Sequence, residues 1–306
     1  MTFEDLENAR KAYIEASRKS TSPVIISVAL WIVIILTIAT FPLAAVISFP
    51  VFIIDAYFLA KALKTKKEKV EIYNSMYKAF FVEQSINKIF TEVDYHHEAG
   101  MPASELKETG MIRMGDVYYS NDLFTAKYHN VSLKQADVDI LQSHEDSDGN
   151  TYYTTVFKGR WMIYEFPKKF TFRLQVIQKG FNAAIKLNEN RELKRKIKKI
   201  TTESPTFNDL FMVYAEDDFE AYYLLDPAFI DHLEQISTKQ QGKIMLCFTD
   251  NKLHIAIYDK KDAFEPANPR KPIDKTAELA KINQEIKTIT DFVDFLKLDR
   301  KLFKNN

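Results

Sequence analysis

The chain of 306 residues contains seven glycines and one cysteine. So little glycine removes most phosphate-cradling loops, and no P-loop, dinucleotide fingerprint or G-x-S-x-G elbow is found. With Cys247 alone, no intramolecular disulfide can form, which fits a reducing compartment. Cys247 sits in the apolar stretch 244–248, where a buried and inert thiol is expected. Net charge is missing as well: Lys plus Arg equals Asp plus Glu at 42 each, which argues against a dedicated nucleic-acid binder.

What the chain does have is grease at its N-terminal end. From Thr21 to Ala60 there is a single charge, Asp55, with Pro42 near the middle. That run matches two bilayer crossings of about 20 residues each. Arg10, Lys11, Arg18 and Lys19 precede it, and Lys61, Lys64, Lys66, Lys67 and Lys69 follow it. The positive-inside bias therefore sets both ends in the cytoplasm, joined by an uncharged turn around Phe41-Pro42-Leu43. A cleaved signal peptide is disfavoured, because the apolar core exceeds about 15 residues and a second apolar segment follows directly. Neither segment carries the polar stripe of a buried soluble helix.

The expected organisation is an amphipathic helix over 1–20, capped by Thr2, then a transmembrane hairpin over 21–63. Its spans cover about 22–41 and 43–63; Ser22-Pro23 suits a helix start, and Pro50 should kink the second span. A linker helix over 64–95 joins it to a cytoplasmic domain over 96–306. Residues 98–121 lack a clear period. From 124 the period approaches two, giving strands at 124–134, 138–142, 151–158, 160–166 and 170–176, with a hairpin turn at 147–150. Residues 181–200 read as mixed helix. A strand at 211–215 and a helix at 219–237, interrupted at Asp226-Pro227, come next. A hairpin with arms 243–248 and 252–258 follows, turning at Asp250-Asn251. Finally, Leu279, Ile282, Ile286, Ile289, Val293 and Leu296 form a heptad seam within the helix 274–303. At this length, packing within the chain, on the 70–93 helix, is favoured over self-association. Strands framed by helices without regular alternation make the domain α+β.

Candidate sites are few. Asp55 is an ionisable group in a membrane helix, a default functional position, although Lys61 and headgroup water lie close. Lys186, Arg191, Lys194, Arg195, Lys196, Lys198 and Lys199 form a basic cluster that suits anionic lipid headgroups. No aromatic platform accompanies it for nucleic acid. His96-His97-Glu98 and His144 through Gly149 lack the spacing of a metal or calcium site, and read as a solvated helix end and an acidic turn. Glu216, Asp217, Asp218 and Glu220 read as the cap of the following helix. No catalytic set and no cofactor site emerges.

Three stretches carry a resemblance: 156–168, containing Val156-Phe157-Lys158-Gly159 and Glu165-Phe166-Pro167-Lys168; the run FNDLFMVYAEDDFEAYYLLDPAFIDHL from Phe207; and 243–265, ending in KDAFEP. Together they are similar to the bacterial membrane-associated family catalogued as domain of unknown function 3137, over roughly 73–298. The resemblance implies a bacterial inner-membrane protein with an N-terminal hairpin, and no activity or catalytic residues. In these stretches Gly159 is expected at a tight strand junction where a side chain would clash. The resulting expectation is a multi-pass protein with both termini in the cytoplasm. Its domain binds a protein partner or the lipid surface and does not catalyse. Two alternatives are a channel or transporter subunit that uses Asp55 in a homo-oligomer, and a membrane-tethered hydrolase that uses the 216–220 acids or the 96–98 group.

Overall fold

The computed structural model describes residues 1–40, 45–181, 183, 196–298 and 303. The chain divides into two compact units, one of Met1–Gln84 with Glu265–Ala280, the other of Ser85–Phe264 with Lys281–Asn306.

The first unit is built on two long helices, α1 (Phe3–Thr40) and α2 (Ala45–Tyr77). Thr2 caps α1: its Oγ1 accepts from the Asp5 N–H at 3.2 Å, and the Asp5 carboxylate accepts from the Thr2 N–H. The expected start at Ser22-Pro23 is not seen, because α1 carries Pro23 inside it. Losing one backbone donor costs a helix less than ending it when flanking turns are apolar and cannot find other partners. Ring pairs Tyr13–Tyr73 and Trp31–Phe52 descend α2 as they climb α1, so the two helices are antiparallel. The Phe41-Pro42-Leu43 turn lies outside the described residues. A six-residue π-helical segment, Lys78–Glu83, follows α2. Glu7, on α1, accepts from the Ile273 N–H at 2.7 Å, and Arg10 donates to the Pro269 carbonyl at 2.9 Å, which fixes segment 265–280 in this unit.

The second unit opens with α3 (Gln84–Ile89), β1 (Thr91–His96) and α4 (Ala103–Glu108). Helix was expected through 93, and only loops and short pieces over 98–121. Three long strands follow: β2 (Val117–Tyr128), β3 (Val131–Glu145) and β4 (Thr151–Gln178). The strand expected at 124–134 is in fact two. His129 and Asn130 both take left-handed backbone, φ 47° and 63°, the geometry that turns a tight hairpin. Conversely, the three segments expected between 151 and 176 are one strand. Pro167 is tolerated inside it because it falls where the β4–β7 register shifts, so its missing N–H costs no ladder bond.

Next come β5 (Lys198–Ile200), α5 (Pro205–Leu210), β6 (Phe211–Ala215), α6 (Asp218–Leu224) and α7 (Pro227–Lys239). The break at Asp226-Pro227 is borne out: Asp226 caps α7 by accepting from the Phe229 N–H at 2.8 Å. The hairpin expected at 243–258 is replaced by one strand, β7 (Lys243–Tyr258). Asp250 has φ 50° and stands opposite Phe170 where the register shifts, so the chain bends with β4 and continues. Helix α8 spans Lys275–Leu296.

All pairings are antiparallel, in the order β1-β2-β3-β4-β6-β5 with β7 on β4 off that path. The protein is therefore mixed α+β, with an antiparallel sheet and a C-terminal helix. Trp161 and Ile163 of β4 join Val138, Ile140, Met245 and Ala256 in the main core. On the strand's other side, Tyr164 donates to the Ile289 carbonyl at 2.9 Å. Ile282, Ile286, Ile289, Val293 and Leu296 are buried, so this part of the heptad seam packs within the chain.

Candidate functional site

In the first unit, α1 and α2 turn their apolar side chains outward. Ile25, Ile26, Ile32, Val33, Ile35 and Leu36 of α1 and Ile53, Ile54 and Phe58 of α2 are exposed, Ile26 at 64% and Phe58 at 62%, whereas Ser27 is 2% exposed. Polar groups face inward. Asp55 Oδ1 accepts from Ser27 Oγ at 2.9 Å, and Oδ2 accepts from Trp31 Nε1 at 2.8 Å. Ser27 and Trp31 stand four residues apart on α1, so they share the face that meets α2. The sequence singled out Asp55 but not its two donors; the i, i+4 placement of the serine and the tryptophan was the available signal.

A groove of about 560 Å³ lies further along the same helix pair, lined by Ala12, Ala16, Pro23, Phe58, Ala62 and Thr65, with Glu15, Lys19, Lys61 and Lys69 around it. Lys19 pairs with Glu15 at 2.7 Å. Among the described residues, Lys61 and Lys69 have no ion-pair partner.

Of the seven basic residues expected to meet headgroups, Lys186, Arg191, Lys194 and Arg195 lie outside the described residues. Lys196, Lys198 and Lys199 are exposed. Lys198 and Lys199 belong to β5, which ends the sheet, opposite Ala215 and Tyr214 of β6. Lysines on such a strand also discourage another chain from pairing with it.

The acids at 216–220 do what capping requires: Asp217 accepts from the Glu220 N–H at 2.9 Å at the start of α6. Glu216 accepts from the Arg173 N–H at 2.9 Å. His96 pairs with Asp94 at 2.9 Å, while His97 sits 3.8 Å from Glu98. Asp146 accepts from the N–H groups of Asp148 and Asn150 at 3.0 and 2.8 Å, closing the hairpin turn expected there.

A charged cleft of about 380 Å³ in the second unit was not anticipated. Arg160 reaches it from β4, Asp259 from the end of β7, Lys239 from α7, and Lys281 and Glu285 from α8. Arg160, 6% exposed, donates from Nη1 to the Glu285 carbonyl at 2.9 Å, and the Glu285 carboxylate accepts from the Phe264 N–H at 2.7 Å. Burial raises the Asp259 and Glu285 carboxyls above their ordinary values. Behind Arg160, burial and then the Asp122 charge push Asp137 well above the carboxylate range. These residues are spread from 137 to 285, so no local spacing announced them.

The cleft offers charge and hydrogen bonds. Elsewhere in the unit, burial pushes the Cys247 thiol up to about 12 and pulls His254 down to about 3. Trp161 Nε1 donates to His254 Nδ1 at 3.2 Å.

Among curated proteins, none matches this sequence. A solved structure, the mycobacterial trehalose monomycolate transport factor A, TtfA, aligns over 74% of this chain and 94% of its own. It is 11% identical with a TM-score of 0.40, too low to carry either its fold or its role across. A family model matches as well, beginning at residue 155 and not near 73. Residues 155–298 match the family described as protein of unknown function (DUF3137), which bears out the resemblance over that stretch.

Proposed function

We propose that this chain is a membrane protein whose N-terminal hairpin crosses the bilayer twice and tethers a cytoplasmic α+β binding module. Among the described residues one helix, Phe3–Thr37, is long and apolar enough to cross a membrane by length and composition. The second crossing is supported by a single observation. The one charge in the apolar run, Asp55, has both carboxylate oxygens engaged by Ser27 and Trp31, while the isoleucines and phenylalanines around it face outward. A water-soluble helix pair is organised the other way round, with apolar side chains between the helices and charge outside. Hydrocarbon favours this arrangement, because a carboxylate and two donors there must satisfy one another.

The same geometry weighs against Asp55 as an ion or proton site, since each of its oxygens already accepts a hydrogen bond from its own chain. For the module, binding is supported by the charged cleft around Arg160 and by the basic run 186–199, which would lie against anionic headgroups. The division into 1–20, 21–63, 64–95 and 96–306 belongs to this same reading.

Cysteine labelling tests the topology, because the buried Cys247 gives little background. Thr2→Cys and Glu220→Cys should react with a membrane-impermeant maleimide only after the cells are permeabilised, and Pro42→Cys before. Labelling of Glu220→Cys in intact cells would overturn the reading.

A further inference from the structure

We infer that the groove between α1 and α2 holds one anionic phospholipid, its acyl chain against Pro23, Phe58 and Ala62 and its phosphate against Lys61 and Lys69. The inference rests on the two-span reading and adds a specific lipid site to it. The groove's volume of about 560 Å³ falls in the range of pockets that hold a small molecule. Its walls include three alanines, Pro23 and Phe58, and an apolar surface of that kind accepts an apolar guest more readily than water. Ala12 and Ala16 on α1 and Ala62 on α2 leave the space along the groove, where larger residues would have closed it.

Depth and charge identify the occupant. Lys61 stands six residues beyond Asp55, about 9 Å along the helix axis. That places the groove's mouth where the apolar run gives way to lysines, at the level of lipid headgroups. Glu15 neutralises Lys19 alone, so Lys61 and Lys69 present two uncompensated positive charges to the groove. At its other end the groove runs past Phe58, one of the side chains exposed on the outward apolar face. A phospholipid with one net negative charge matches both ends at once. A peptide or a second copy would have to bring its own acidic group to the same depth.

Native mass spectrometry of the full chain, released from detergent after incubation with phosphatidylglycerol or phosphatidylcholine, tests this. One phosphatidylglycerol should be retained per chain, at least threefold more than phosphatidylcholine. Ala62→Leu and Ala12→Leu, which fill the groove from opposite helices, should each abolish the difference. Lys61→Gln with Lys69→Gln should reduce it at least threefold while leaving α-helical circular dichroism unchanged.

Equal retention of the two lipids would overturn the inference, and so would retention unaffected by both alanine variants. A lipid-free dimer, or loss of the lipid to millimolar inorganic phosphate, would overturn it too. Failure of the two-span reading appears separately, as Glu220→Cys labelling in intact cells.

Discussion

Trp31 and Asp55 meet across the helix pair, the indole N–H donating to Oδ2 at 2.8 Å, with Ser27 Oγ on the other oxygen. Because that pair ties the helices together, Trp31→Phe and Asp55→Leu should each destabilise the hairpin by about 0.6 kcal/mol, the average for such bonds in membranes, and by no more than about 1.7 kcal/mol. The double variant should lose clearly less than the sum, because the interaction can be removed only once. Unfolding of the detergent-solubilised chain, followed by circular dichroism, measures both. Strictly additive losses would show that the two residues act independently.

Asp137 is 1% exposed; its Oδ2 accepts from the Ala263 N–H, while Oδ1 has no hydrogen-bond partner among the described residues. Burial and the Asp122 charge both raise it, so the folded chain keeps this proton to a higher pH than the unfolded chain does. Its contribution to stability is therefore complete below pH about 4 and is lost as pH rises toward the folded value. Asp137→Asn carries no such penalty. Relative to wild type it should gain stability with rising pH, at about 1.4 kcal/mol per unit above pH 4 until the folded group ionises. Urea unfolding of both proteins at pH 5, 6 and 7 gives the difference, and a flat one would refute the assignment.

His254 acts in the opposite sense. Burial holds its folded value at about 3, below the ordinary histidine value of 6.5, so the unfolded chain takes the proton first. Its contribution is full above pH 6.5 and falls as pH drops toward 3, by about 1.4 kcal/mol per unit. In His254→Gln, where a side-chain oxygen can still accept from Trp161, this slope should vanish while the other acidic groups behave as before. The wild-type-minus-variant difference between pH 7 and 5 isolates it. A difference independent of pH would mean that His254 titrates alike in both states.

How much of this was legible depended on how local the controlling physics is. The Asp226 cap, the acidic turn at 147–150 and the seam from Ile282 to Leu296 are short-range patterns, and each appears where the residues suggested. Strand ends were misjudged because turn residues act through partners distant in sequence. Asp250 looks like a hairpin turn, but β4 runs alongside and shifts register at Phe170, so the bend becomes a bulge. His129-Asn130 lacks the glycine that marks most tight turns, so nothing local announces its two left-handed residues. The Arg160 cleft was invisible for a similar reason. Its members come from β4, α7, the end of β7 and α8, and only the sheet's topology brings them together.

Gly159 shows what a correct local reading demands of the fold. The motif around it suggested a junction too tight for a side chain, and its backbone has φ 152°, which residues with a Cβ rarely adopt. A Cβ built there would stand 2.0 Å from the Ile257 carbonyl oxygen, an atom of the neighbouring strand that cannot rotate away. Gly159 pairs with Val138 on one side and Tyr258 on the other, so the backbone cannot move toward either strand without breaking a ladder. Backbone strain and overpacking together should make Gly159→Ala cost about 2–4 kcal/mol. Arg160 is the next residue, so the shift required should also disturb its bond to the Glu285 carbonyl. Thermal unfolding of the full chain should show the loss, and Gly149→Ala, in the open 147–150 turn with no atom nearer than 3.8 Å, is the control for changing a glycine at positive φ without the clash. Equal losses in the two variants would mean that backbone conformation alone, and not the contact with Ile257, sets the cost.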